Sequence, residues 1–151
     1  MFSIGFTDEA FEKVEPEEQG RMGLLVLGSH HERFVTHFWA WSEKEYQDQW
    51  TNGLTRVLRG LPSALITDMR TPTQSSHLVW WPMWRVNHKI VFHNQLFFFE
   101  QHGLRTPQIE TELLYEFIGE RSRKSADGTP LSEWVVALPH IEKFLETRGH
   151  V

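Results

Sequence analysis

The sequence contains no cysteine. That excludes disulfides, iron–sulfur clusters and thiolate zinc sites, and suits a reducing compartment. Long apolar runs are missing too: stretches such as Leu96 to Phe99 fall far short of a bilayer span. Met1 to Phe11 carries Asp8 and Glu9 but no basic segment, so it lacks the pattern of a secretory signal, and a cytoplasmic location is expected. An excess of positive charge is also absent. Fifteen Lys and Arg stand against 20 Asp and Glu, a formal net charge of −5. This argues mildly against a dedicated binder of nucleic acid or anionic membrane, which needs a basic surface, and is compatible with a basic protein partner.

Motifs for catalysis are missing as well. There is no Gly-x-Ser-x-Gly elbow, phosphate loop or dinucleotide fingerprint. Nine histidines invite a metal hypothesis, but their spacing does not support one. His30 and His31 are adjacent, so a strand points them to opposite faces. His31 and His37 could share a face, yet no carboxylate is suitably interleaved between them. His88 and His93 flank a turn, and His102 precedes Gly103. No helical His-x-x-x-His or other zinc spacing occurs. The expectation is a protein without enzymatic activity, metal or other cofactor.

What the chain has in quantity is aromatic surface. Trp80, Trp81, Trp84, Phe92, Phe97, Phe98 and Phe99 crowd the stretch from Ser63 to Phe99, which reads as a run of β-strands. Aromatic side chains bury large areas and, where exposed, offer rigid contact surface at low entropic cost. Such a chain suits binding better than transformation.

The length of 151 residues fits one domain, here taken as residues 1–151, able to bury about two-thirds of its unfolded surface. Met1 to Phe6 reads as an opening strand, and the acidic stretch from Asp8 to Gln19 as loop or frayed helix. Met22 to Leu27 and Glu32 to Phe38 form a hairpin around Gly28-Ser29-His30-His31. Ser42 and Glu45 make a capping box, and Trp41 and Tyr46 are placed as a hydrophobic staple. Tyr46, Trp50, Leu54, Val57 and Leu58 then repeat at helical spacing up to Gly60. Ser63 to Met69 and His77 to Val86 are strands, with Pro82 expected at an edge or a bulge because it lacks a ladder donor. Asn87-His88 turns the chain into Lys89 to Phe99, broken near Asn94.

A second helix opens at Thr106-Pro107, with Ile109, Leu113, Leu114, Phe117 and Ile118 as its apolar face. Ser122 to Pro130 is a polar loop around Asp127-Gly128. Leu131 to Ala137 forms a strand, and Pro139 begins a last helix buried through Ile141, Phe144 and Leu145. The whole reads as α+β, a mainly antiparallel curved sheet decorated by about three helices.

Glu112, Glu116 and Glu120 recur every four residues on the second helix, with Glu110 beside them. Like charges at that spacing cost about a few tenths of a kcal/mol per pair. They form either a solvated face or a surface for a basic partner, where complementary charge speeds encounter.

Several blocks carry a resemblance. They are Trp41 with Tyr46, Trp50 and Leu54; Ser63-Ala64-Leu65 with Met69; and Trp81, Lys89 and Asn94. Glu100 with His102-Gly103 follows, then Asp127-Gly128 running into Ser132-Glu133-Trp134. From about Trp39 to Phe144 the chain resembles the CdiI immunity proteins of bacterial contact-dependent growth inhibition systems, in particular those paired with nuclease toxins that cleave RNA. The resemblance implies one partner, the C-terminal toxin domain of the matching CdiA effector, bound 1:1 in the cytoplasm with its active site covered. Binding candidates are Glu110, Glu112 and Glu116 on the second helix, with Asp68 and Asp127 beside strand ends or loops, where binding residues concentrate. The alternatives are a single-stranded nucleic-acid-binding module that stacks bases on the aromatic sheet and, third, a small hydrolase with a cleft of convergent His and carboxylate groups.

Overall fold

The protein is described from a computed structural model, over residues 1–11, 20–38, 41–70, 77–104 and 111–148. Strands β1 (Phe2–Phe11), β2 (Gly20–Leu27) and β3 (His30–His37) form one antiparallel sheet in that order. A two-residue turn at Gly28-Ser29, with Gly28 at φ 66°, sets the β2–β3 register from Leu27↔His30 to Gly20↔His37. Asp8 and Glu9, expected in a loop, belong to β1, while residues 12–19 lie outside the described residues.

Helix α1 (Glu43–Leu58) leads to a second antiparallel sheet of β4 (Ser63–Arg70), β5 (His77–Val86), β6 (Lys89–Phe92) and β8 (Trp134–Ala137). Strand β7 (Gln95–Phe98) also pairs with β5. The α+β class is as expected, but the strands divide between two sheets instead of forming one. Phe2 of β1 stacks on Phe92 of β6 at 5.8 Å, so the two sheets share a core.

Strands β6 and β7 are one strand interrupted, as expected, at His93-Asn94. Together they run along one side of β5. Pro82 is at neither an edge nor a bulge: it pairs with Ala64 of β4 in the middle of the sheet. Its carbonyl accepts the His93 N–H at 2.9 Å, so its missing donor faces the break between β6 and β7, where no ladder partner is due. Asn87 turns β5 into β6 at φ 56°, a conformation Asn tolerates better than most residues.

Helix α2 is described over Thr111–Tyr115, and residues 105–110, including the expected start at Thr106-Pro107 and the apolar Ile109, lie outside the described residues. Leu113, expected in the core, is 41% exposed, whereas Tyr115 is buried. The strand expected from Leu131 begins at Trp134, and helix α3 (Leu138–Thr147) buries Ile141. Trp50, Trp80, Trp81, Phe92 and Phe99 are among the most deeply buried side chains. The aromatic strands therefore build the core. Burial of Trp80 and Trp81 takes both away from any stacking of bases.

Candidate functional site

The site rests on an edge strand closed by side chains instead of by another strand. β4 ends its sheet, and α1 lies along it. The Gln49 carboxamide accepts the Ile66 N–H at 2.8 Å and donates to the Ala64 carbonyl at 2.7 Å, as a neighbouring strand would. Trp50 Nε1 donates to the Ile66 carbonyl at 2.7 Å. The Tyr46 hydroxyl accepts the Met69 N–H at 2.9 Å and donates to the His37 carbonyl at 2.8 Å, tying β4 to β3. Burial, then the Asp68 charge, raises the Tyr46 pKa, so the phenol keeps its proton.

Two local features hold α1 that close. The Ser42 and Glu45 capping box forms, and Trp41 packs against Tyr46 at 5.2 Å as a staple. At Gly53 a Cβ would stand 2.6 Å from the Ala64 carbonyl, so only glycine lets the helix meet the strand there.

The outer face of α1 and α2 flank a cleft of about 230 Å³. Glu45 and Asp48 line it from α1, Glu112 from α2, with Trp41 among the other walls and Gln49 and Tyr115 behind. The buried Gln49 also donates to the Tyr115 hydroxyl at 3.1 Å, which anchors α2. Burial is the main cause that raises the Tyr115 pKa. The Arg56 guanidinium lies 4.7 Å over the Tyr115 ring, and its Nη1 is 3.9 Å from Glu112 Oε2. Lys44 pairs with Asp48 at 2.8 Å in solvent. Three carboxylates on one cleft can attract and hold cationic groups.

Of the residues picked from the sequence, Glu112 and Glu116 are exposed on and just beyond α2. Glu110 lies outside the described residues. Asp127 is exposed in its loop, where the Ser125 hydroxyl and then the Thr129 N–H hold its carboxyl down at about 2. Its bonds close its own turn, and none reaches α2. Asp68 is different. Its side chain is 8% exposed, Oδ1 accepts the His37 N–H at 2.9 Å, and both oxygens lie 3.1 Å from His37 Nδ1. With Thr36 Oγ1 donating to the Thr67 carbonyl at 2.6 Å, it stitches β3 to β4. Asp68 thus supports the joint between sheets and presents no charge to solvent.

Sequence reasoning missed Glu45 and Asp48 as partners of Glu112. Helical spacing places the two on the polar face opposite Tyr46, Trp50 and Leu54, but their meeting with Glu112 is set by packing and carries no local signal. A second group of charges sits elsewhere. Arg121 forks onto Glu133 at 2.7 and 2.6 Å, and the buried His93 contacts the same carboxylate at 2.8 Å. Among the described residues no three His, Cys, Asp or Glu are grouped to hold a metal. Nor, among them, is any helix long and apolar enough to cross a membrane.

Comparison with known proteins agrees with this architecture. A solved "CdiA-CT/CdiI toxin and immunity complex from Enterobacter cloacae" contains a chain that superposes with a TM-score of 0.84 at 22% identity, with 100% of both chains covered. That likeness shows the fold. No curated protein matches the sequence. The sequence model of the CdiI N-terminal domain matches residues 36–144, which span α1, the whole second sheet and most of α3. The chain belongs to the CdiI family.

Proposed function

We propose that this protein is an immunity protein that binds the C-terminal toxin domain of its matching CdiA effector, one to one, and blocks the toxin's active site. Membership of the CdiI family carries the proposal, and the acidic cleft between α1 and α2 supplies a surface suited to a basic partner. The action is occlusion in the cytoplasm, with no chemistry by the immunity protein and no cofactor. A toxin whose active site is covered cannot admit its substrate, which we take to be RNA.

Glu112 on α2 and Glu116 just beyond it are the proposed contacts, joined by Glu45 and Asp48 across the cleft. Glu110 is proposed with them from its place in the sequence, and Asp127 as an outlying contact on its loop. Asp68 serves from behind, by keeping β3 and β4 together. Charges on a rim mainly accelerate encounter, while a few desolvated anchors set the lifetime of such complexes.

The test is RNA cleavage by the purified toxin domain encoded beside this protein. Titration with the immunity protein is expected to abolish cleavage at one equivalent. Undiminished cleavage, with both proteins folded, contradicts the proposal.

A further inference from the structure

Helix α2, described over Thr111–Tyr115, presents Glu112 to the cleft, and side chains from α1 fix where that carboxylate stands. Its last residue, Tyr115, is gripped from two sides. Gln49 donates to its hydroxyl at 3.1 Å, and the Arg56 guanidinium covers its ring at 4.7 Å. Arg56 is itself anchored at the end of α1, because its Nε donates to the Pro62 carbonyl at 2.8 Å. The same guanidinium reaches Glu112 at 3.9 Å, and its side chain is 28% exposed. One residue thus touches the ring that seats α2, the carboxylate that α2 presents, and the backbone leading into β4. Near the C-terminus of α1 an arginine could serve the helix dipole alone, and a lysine would do as well there. A guanidinium held over a ring while its Nε stays bonded to a carbonyl cannot be replaced so simply.

We infer that Arg56 is a positioning residue for partner binding: it clamps α2 through Tyr115 and sets where Glu112 stands. This rests on the proposal that the α1–α2 face meets the toxin. The clamp acts on preorganisation, so its loss should appear in the lifetime of the complex. Removing a cation beside Glu112 leaves the face more acidic, so association should not slow. That combination separates positioning from simple charge attraction, which would be read in the association rate.

The experiment measures association and dissociation rates with the toxin domain for the wild type, Arg56→Gln and Arg56→Lys, with thermal melting to confirm folding. Arg56→Gln is expected to raise koff about tenfold with kon unchanged or faster. Arg56→Lys keeps the charge but loses the guanidinium over the ring and its Nε bond to Pro62, and should recover only part of that loss. A folded Arg56→Gln with the wild-type koff overturns the inference. So does full recovery by Arg56→Lys, which would leave only a charge effect. Should Arg56→Gln fail to fold, Arg56→Lys decides: a wild-type koff contradicts the clamp, and a raised one supports it.

Hydrogen exchange in the free protein separates the two proposals. The amides of Glu116, Phe117 and Ile118 close the turns after α2 on the carbonyls of Leu113, Leu114 and Tyr115. Their exchange should quicken in Arg56→Gln even if the wild type binds no toxin. Failure of the wild type to bind would count against the immunity proposal, and unchanged exchange against the clamp.

Discussion

Gln49 shows how much one buried amide can organise. Its oxygen and nitrogen satisfy Ile66 and Ala64 on an edge strand, and its second donor holds Tyr115. Gln49→Leu would fill similar space but leave the Ile66 N–H and the Ala64 carbonyl without these partners, and would leave the Tyr115 hydroxyl with Ser63 in place of Gln49. Each buried unsatisfied group costs about 1–3 kcal/mol, so a loss of several kcal/mol is expected in urea unfolding. A loss below about 1 kcal/mol would mean that water replaces the amide easily. Nothing in the sequence marks this residue. Ser42, Glu45, Tyr46 and Trp50 were legible because capping and helical periodicity are local signals, whereas the role of Gln49 exists only once α1 meets β4. Asp68 was misleading for a similar reason. Every residue from Ser63 to Met69 is buried, so alternation cannot say which side chains face water.

At the scale of elements, the segment after α2 shows where periodicity misleads. Glu116, Phe117 and Ile118 bond three residues back, so the repeat there is three instead of 3.6. Leu114 with Phe117 and Tyr115 with Ile118 then face inward together, and Leu113 turns to solvent. The break of β6 from β7 was legible at Asn94, but the central position of Pro82 was not. It depends on two strands sharing one side of β5, which is a property of pairing and not of local sequence.

The Arg121–Glu133–His93 group joins the segment after α2 to the approaches of β8 and β6. Bonds from Arg121 above all, aided by the His93 contact, hold the Glu133 carboxyl down at about 2, against an ordinary value of 4.5. A carboxyl lowered on folding contributes stability that is complete above its unfolded value and lost as pH falls toward the folded one. Stability should therefore fall between about pH 4.5 and 2, and fall less steeply there in Glu133→Gln. Equal pH slopes for the two proteins in urea titrations would contradict this linkage.

For the whole molecule, the aromatic side chains that dominate the sequence build a core shared by two sheets, and we propose that recognition falls to charge at the surface. The acidic residues of α1 and α2 come from distant parts of the chain and meet where Gln49 and Arg56 of α1 contact Tyr115 of α2. Helix, strand and core were largely readable; the meeting of Glu45 and Asp48 with Glu112 was not, since it is set by tertiary packing. The resemblance to the CdiI family pointed to a partner, and the acidic cleft between α1 and α2 is the face proposed to receive it. Calorimetric titration of the purified protein with the toxin domain encoded beside it, at low and at raised salt, tests this account most directly. The account predicts one-to-one binding with a nanomolar Kd that weakens as salt rises; the absence of binding heat at both salts and at two temperatures, with both proteins folded, would contradict it.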